Sequence, residues 1–181
     1  MKGIVLNMLN EMVEERFGMD TWDALIESTQ PASRGIYTSV ELYPDSELLN
    51  YVAALSESSG IEAGMLVHAF GHYMIGRFHQ IHPGFFAEHD AKSFLKSVHD
   101  IIHVEVRKLH PDVILPEFEY EDESPDSLVM LYKSPRHLCQ LAEGLIDGAV
   151  EHFGAQIERA HPVCMHNGAD HCRIEMRFKR H

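Results

Sequence analysis

The chain has 181 residues, 45% of them apolar and 24% charged, which suits one globular domain or two tightly joined halves. A formal net charge of −13 opposes nucleic-acid binding, because phosphate contacts need a basic surface; if the acidic surface has a job, it is to meet a basic partner. No stretch is long and charge-free enough to span a bilayer, and the first apolar run is broken by Asn7, Asn10 and Glu11 with no small-residue cleavage site after it, so a cytoplasmic location is expected.

From residue 1 to about 110 the pattern is helical. Ile4, Met8 and Met12, with Leu9 and Val13, recur at helical spacing. Asp20 reads as the cap of a short helix holding Trp22 and Leu25. Residues 31–44 are irregular, and Asp45 or Ser46 starts a helix through Leu48, Leu49 and Val52 that Gly60 ends. A longer helix is expected from about 62 to 78, followed by a turn holding Pro83-Gly84. On the next helix Phe94, Leu95, Val98, Ile101, Ile102 and Val106 form an apolar arc. His99 falls near its edge and His103 further round, so periodicity alone makes His103 a surface histidine.

After Pro111 the pattern changes. Residues 117–120 and 128–132 read as strands around an acidic turn at 121–126. Ser134-Pro135 reads as a helix start, with Ser at the N-cap and Pro first, leading to about His152. Leu138, Leu141, Ala142, Leu145, Ile146 and Ala149 form that helix's buried stripe. Residues 156–164 and 172–178 read as two more strands; Ile174, Met176 and Phe178 alternate with Arg173, Glu175 and Arg177. The expected class is α+β, with an N-terminal helical part and a C-terminal part of helices and an antiparallel sheet.

Two constellations carry chemistry. Tyr132, Ser134 and Arg136 stand at alternate positions, which an extended segment points to one side. Two hydroxyls and a cationic fork suit a ligand with two carboxylates. An upstream imidazole at His103 adds a metal ligand, and two carboxylates plus one axial ligand describes haem. The plainer alternative makes Tyr132 a strand residue, Ser134 a helix cap and Arg136 a surface charge. Among the 14 histidines, His68/His72 and His79/His82 have no carboxylate-binding motif beside them and read as solvated or core-edge. The second constellation lies in the last quarter. Cys139, Cys164 and Cys172 are odd in number and a poor disulfide framework. With His161 they make a Cys3His set suited to tetrahedral zinc, His166 and His171 being rival fourth ligands. Three unconnected thiols are the alternative.

Met1-Lys2-Gly3-Ile4-Val5, the helix from Phe94 to His103, Pro116, Tyr132-x-Ser134-x-Arg136 and Gly144-Leu-Ile-Asp-Gly148 together resemble the H-NOX family of haem nitric oxide/oxygen binding domains. The resemblance covers essentially the whole chain. It implies one haem b between a distal helical part, about 1–60, and a proximal α/β part, about 61–181. It also implies His103, not His99, as axial ligand, Tyr132, Ser134 and Arg136 on the propionates, and Pro116 maintaining haem distortion. Ile4, Val5, Met8, Met74, Leu141 and Leu145 would line the cofactor. The oxygen-binding branch has a tyrosine where alignment places Leu141. An apolar residue there implies a sensor that binds nitric oxide and carbon monoxide but not dioxygen stably, with Tyr73 or His72 as the remaining candidate donors.

Some relatives carry zinc at positions matching Cys139, His161, Cys164 and Cys172. Nitric oxide is expected to weaken the bond to His103 and free its helix. With the chain ending at His181, output is expected through a separate protein; relatives pair with a histidine kinase or a diguanylate cyclase. No catalysis is expected. The rivals are a zinc and thiol redox sensor, and a haem enzyme such as a peroxidase, for which no polar distal acid/base set is seen.

Overall fold

The computed structural model describes residues 1–98, 103–109 and 114–179. Helix α1 (Gly3–Phe17) opens at a glycine because the chain passes very close there: a Cβ on Gly3 would lie 2.1 Å from the Thr38 carbonyl oxygen. Gly3 N–H donates to the Glu41 carbonyl at 2.9 Å, tying the helix start to the loop of residues 31–44. Gly18, at φ 95°, turns the chain into α2 (Met19–Thr29). The glycine turn starts α2 two residues earlier than expected, so Asp20 sits in the first turn and is not the cap. It still favours the helix there, through the dipole.

Helix α3 (Asp45–Ser59) ends at Gly60 in the left-handed region, as a C-terminal glycine should. Glu47 of α3 is buried; it accepts from Ser33 Oγ at 2.6 Å and Tyr37 OH at 2.7 Å, and so pins the 31–44 loop. Helix α4 (Ala63–Ile81) runs almost a turn beyond the expected end, because His82 and Pro83 stop it rather than Phe78. A capping box of Asp90 and Ser93 starts α5 (Ala91–Ser97), and α6 (Val104–Leu109) follows. His99, Ile101 and Ile102 lie outside the described residues.

The strands are β1 (Glu117–Glu121), β2 (Ser127–Lys133), β3 (Ile157–Val163) and β4 (Cys172–Phe178), antiparallel throughout in the order β1-β2-β4-β3. Leu128, Met130 and Tyr132 of β2 lie opposite Met176, Ile174 and Cys172 of β4, all buried, so period-2 alternation builds one apolar face. In β3 the register shifts between Ala160 and Val163, where Pro162 has no N–H to give the ladder. β1 and β3 are the edges.

Helix α7 (Cys139–His152) starts four residues later than Ser134-Pro135 suggests. Ser134 does not cap a helix; its Oγ accepts from Arg136 N–H at 3.3 Å, and His137 takes φ 53° before the helix begins. α7 then lies against α4 backbone to backbone. A Cβ on Gly71 would be 2.3 Å from the Leu141 carbonyl oxygen, and one on Gly144 would be 2.0 Å from that of His68. Two apolar clusters result. One joins α1 to α4 around Leu6, Met12, Leu48, Tyr51 and Phe70. The other joins α5, α7 and the sheet around Phe94, Leu128, Ile146 and Ile174. Leu145 and Phe78 border both. No helix among the described residues is long and apolar enough to cross a membrane.

Candidate functional site

Tyr132 near the end of β2 and Ser134 just beyond it are almost fully buried, at 3% and 2% exposure. Burial pushes the Tyr132 phenol up, opposed by hydrogen bonding with Ser134 and the Leu138 backbone. Arg136 leaves the extended line, because Pro135 and Arg136 form a turn. Its Nε donates to Asp45 Oδ2 and its Nη1 to the Ile114 carbonyl, both at 2.6 Å. Asp45 also accepts from the Met1 ammonium at 2.6 Å. Burial raises the Asp45 carboxyl, but the hydrogen bonds and charges of Arg136 and the ammonium outweigh it and hold the group below its ordinary range. The sequence offered Asp45 only as a helix start; its partner is 91 residues away and leaves no local signal.

His103 immediately precedes α6 and is half-buried, not water-facing as its helical phase suggests. Its ring stacks on Phe118 of β1 at 5.4 Å, and Phe118 tilts against Tyr132 at 5.7 Å. Tertiary packing from the sheet therefore overrides helix periodicity. Pro116 is half-buried just before β1. Met8 and Met74 are buried in the α1–α4 cluster, and Ile4, Val5, Leu141 and Leu145 pack against it half-buried. The two polar candidates beside this wall are turned elsewhere. Tyr73 OH donates to Glu15 of α1 at 3.0 Å, and burial together with that carboxylate raises the phenol to about 12. His72 Nε2 lies 2.7 Å from a Glu151 carboxylate oxygen. An imidazole on an aromatic stack, two buried hydroxyls, a guanidinium and an apolar wall form the donor set that a dicarboxylate porphyrin requires, so these residues fit haem.

Cys139, His161, Cys164 and Cys172 come together, their ligand atoms all within 4.8 Å of one another. Cys139 is the first residue of α7, His161 sits in the irregular part of β3, Cys164 follows that strand, and Cys172 begins β4. Cys139 Sγ is 3.8 Å from Cys164 Sγ, and Met165 N–H donates to Cys172 Sγ at 3.2 Å. Of the rival ligands, His171 pairs with Asp170 at 2.6 Å and His166 lies edge-on to His137. Burial pushes the Cys139 thiol well up, and the neighbouring Cys172 and Cys164 add to it; burial raises Cys172 as well. His161 Nε2 is buried without a hydrogen-bond partner among the described residues. Crowded thiols that resist ionising together, beside an unsatisfied imidazole nitrogen, fit a bound dication, and the donor set is that of structural zinc.

Glu143 of α7, which the sequence did not single out, touches this cluster: its Oε1 is 3.4 Å from His161 Nδ1. Arg159 Nε approaches the same oxygen at 3.4 Å. His68, read from the sequence as solvated or core-edge, is half-buried and 2.8 Å from Asp147, which Arg159 also contacts. These pairings cross between elements far apart in sequence, so no spacing rule finds them.

A family model described as haem-NO-binding matches residues 2–161. An H-NOX protein from S. oneidensis in the Fe(II)NO ligation state superposes with a TM-score of 0.93 at 35% identity, over 99% of this chain and all of that one. An unliganded Fe(II) H-NOX protein from K. algicida gives 0.91 at 30% identity, over 100% of this chain and 98% of that one. A soluble guanylate cyclase 89Db of Drosophila melanogaster is 25% identical over 139 residues, 75% of this chain. This chain spans 20% of that relative's length.

Proposed function

Because the chain belongs to the haem-NO-binding (H-NOX) family of haem-based gas-sensing domains, we propose that it binds nitric oxide and carbon monoxide at a ferrous haem b and passes the event to a separate effector protein. Haem, when bound, supplies the iron that takes the gas. His103 would supply the imidazole that holds the iron, its ring oriented by the stack on Phe118. Tyr132 and Ser134 would offer hydroxyls to the propionates, and Arg136, held in place by Asp45, would offer its guanidinium. Pro116, half-buried just before β1, would border the haem. Ile4, Val5, Met8, Met74, Leu141 and Leu145 supply a wall without donors. Residues of about 1–60 form the distal part and about 61–181 the proximal part.

The observation that carries the selectivity is that both polar candidates, Tyr73 and His72, are committed to Glu15 and Glu151. Bound dioxygen needs a hydrogen-bond donor, and nitric oxide does not. Loss of the His103 bond would release the start of α6, which is the element biased between two states. A histidine kinase or a diguanylate cyclase is the proposed class of partner.

Titration of the reduced, haem-loaded protein with nitric oxide tests this: the Soret band should shift to that of an iron that has lost its histidine. His103→Gly should lose haem unless free imidazole is supplied. Full haem retention by His103→Gly without imidazole sinks the assignment of the axial ligand.

The cluster of Cys139, His161, Cys164 and Cys172 supports a second reading, a zinc centre able to report thiol oxidation. Elemental analysis of reduced protein should find about one zinc per chain. Cys172→Ala should lose it and His166→Ala should keep it; absence of zinc from the unaltered protein ends this reading.

A further inference from the structure

We propose that Glu143 is the positioning residue of the Cys139–His161–Cys164–Cys172 centre: its carboxylate holds the His161 ring so that Nε2 faces the three sulfurs. The proposal rests on the reading of that cluster as a metal centre. The two nitrogens of His161 differ sharply in surroundings. Nδ1 lies 3.4 Å from Glu143 Oε1. Nε2 is buried and has no partner among the described residues. A proton on Nδ1 facing the carboxylate leaves the Nε2 lone pair for a metal, and ligating histidines commonly give their second N–H to a carboxylate in this way.

Four further features favour this role. The pair is shielded, with side-chain exposures of 17% for His161 and 16% for Glu143, so little water competes for the contact. Glu143 stands four residues after Cys139 on α7, on the same helix face, so one turn delivers both a sulfur ligand and the carboxylate that aims the nitrogen ligand. The carboxylate has a second cation beside it, anchored on the α7 backbone and Asp147. Arg159 Nε is 3.4 Å from the same oxygen, and Arg159 Nη1 donates to the Glu143 carbonyl at 3.3 Å and contacts Asp147. His161 lies where the β3 register slips, a place where a strand re-aims a side chain. Glu143 therefore holds a ring whose backbone leaves it room to turn. The plain alternative is that Glu143 serves only as the ion-pair partner of Arg159.

The test uses the reduced full chain, stripped of metal with a chelator and titrated with cobalt(II), whose ligand-field spectrum reports the geometry at the metal. Zinc affinity follows from competition with a chelating dye. The unaltered chain should bind about one equivalent with a tetrahedral, thiolate-rich spectrum. Glu143→Ala should weaken zinc by about 10–100-fold and change the ligand-field bands. Glu143→Gln keeps an oxygen acceptor facing Nδ1 and should recover most of both. A Glu143→Ala variant with the parental affinity and spectrum overturns the proposal, as does a Glu143→Gln variant as weak as Glu143→Ala. A readout without any variant guards against loss of fold: the ¹⁵N spectrum of the zinc-loaded chain should show His161 protonated at Nδ1 and metallated at Nε2, and the reverse overturns the role. If the unaltered chain binds no cobalt, the metal-centre reading itself fails and this inference falls with it.

Discussion

Replacing Gly144 with alanine adds one methyl group at the closest point between α4 and α7. That carbon would sit 2.0 Å from the His68 carbonyl oxygen, 2.8 Å from its carbonyl carbon and 3.0 Å from His72 N. All three are backbone atoms of α4, so no side-chain rotation relieves the contact. Comfortable non-bonded separations start near about 3.5 Å, so the helices must part locally by about 1.5 Å. Overpacking costs about 1–3 kcal/mol, and a backbone clash belongs at or above the upper end; better helix propensity returns about 1 kcal/mol. The net loss is about 2 kcal/mol, a fall in Tm of about 4–8 °C for a chain of this length. Gly76→Ala is the matched control, because on the same α4 its Cβ would meet nothing within 4 Å. It should gain about 0.5–1 kcal/mol. Thermal unfolding followed by circular dichroism, at matched haem occupancy, reads both, since bound ligand raises apparent stability. Gly144→Ala melting at or above the parent refutes the backbone contact. Equal falls in both variants refute its being specific to Gly144.

Arg136→Ala should retain haem more weakly than Ser134→Ala, since it leaves two carboxylates, a propionate and Asp45, without their guanidinium; equal haem occupancy by pyridine haemochrome contradicts the clamp. Tyr73→Phe should leave the gas spectra unchanged, and the reduced protein in air should go to the ferric form; a long-lived oxy spectrum abolished by Tyr73→Phe would make that hydroxyl the distal donor after all. Asp45 is held below its ordinary value, so its contribution is present above about pH 4 and is lost as the pH falls through the lowered folded value. With its side chain 33% exposed, screening cuts that contribution to about 1 kcal/mol. The urea midpoint of Asp45→Asn should therefore trail the parent at neutral pH and converge on it in acid; a gap independent of pH removes the ion pair from the account.

What the sequence revealed follows the range of each interaction. The alternation of Cys172 to Phe178 is local and gave β4 its observed limits. Ser134-Pro135 imitates a helix cap, yet the Ser134 hydroxyl turns to Arg136 N–H and α7 waits until Cys139. The helical phase of His103 pointed to water because nothing local announces that Phe118 will cover it. The cysteines and His161 were readable as zinc chemistry from residue type, whereas their approach depends on β3, β4 and the first turn of α7 meeting. Asp45 and Glu143 stayed invisible because each acts on a residue from another element.

The ends of the sheet constrain how another protein can dock. β1, an edge strand, exposes Glu117 and Glu119, while Glu121 is paired with Arg173 of β4, so an incoming strand would need cationic side chains opposite the two exposed carboxylates to settle there. The opposite edge, β3, is interrupted at Pro162, which withholds a donor from any added ladder. Extension of the sheet by a neighbour's strand is discouraged on both sides. A protein docking on this domain is therefore steered to its helices, and concentrated protein is protected from edge-to-edge stacking.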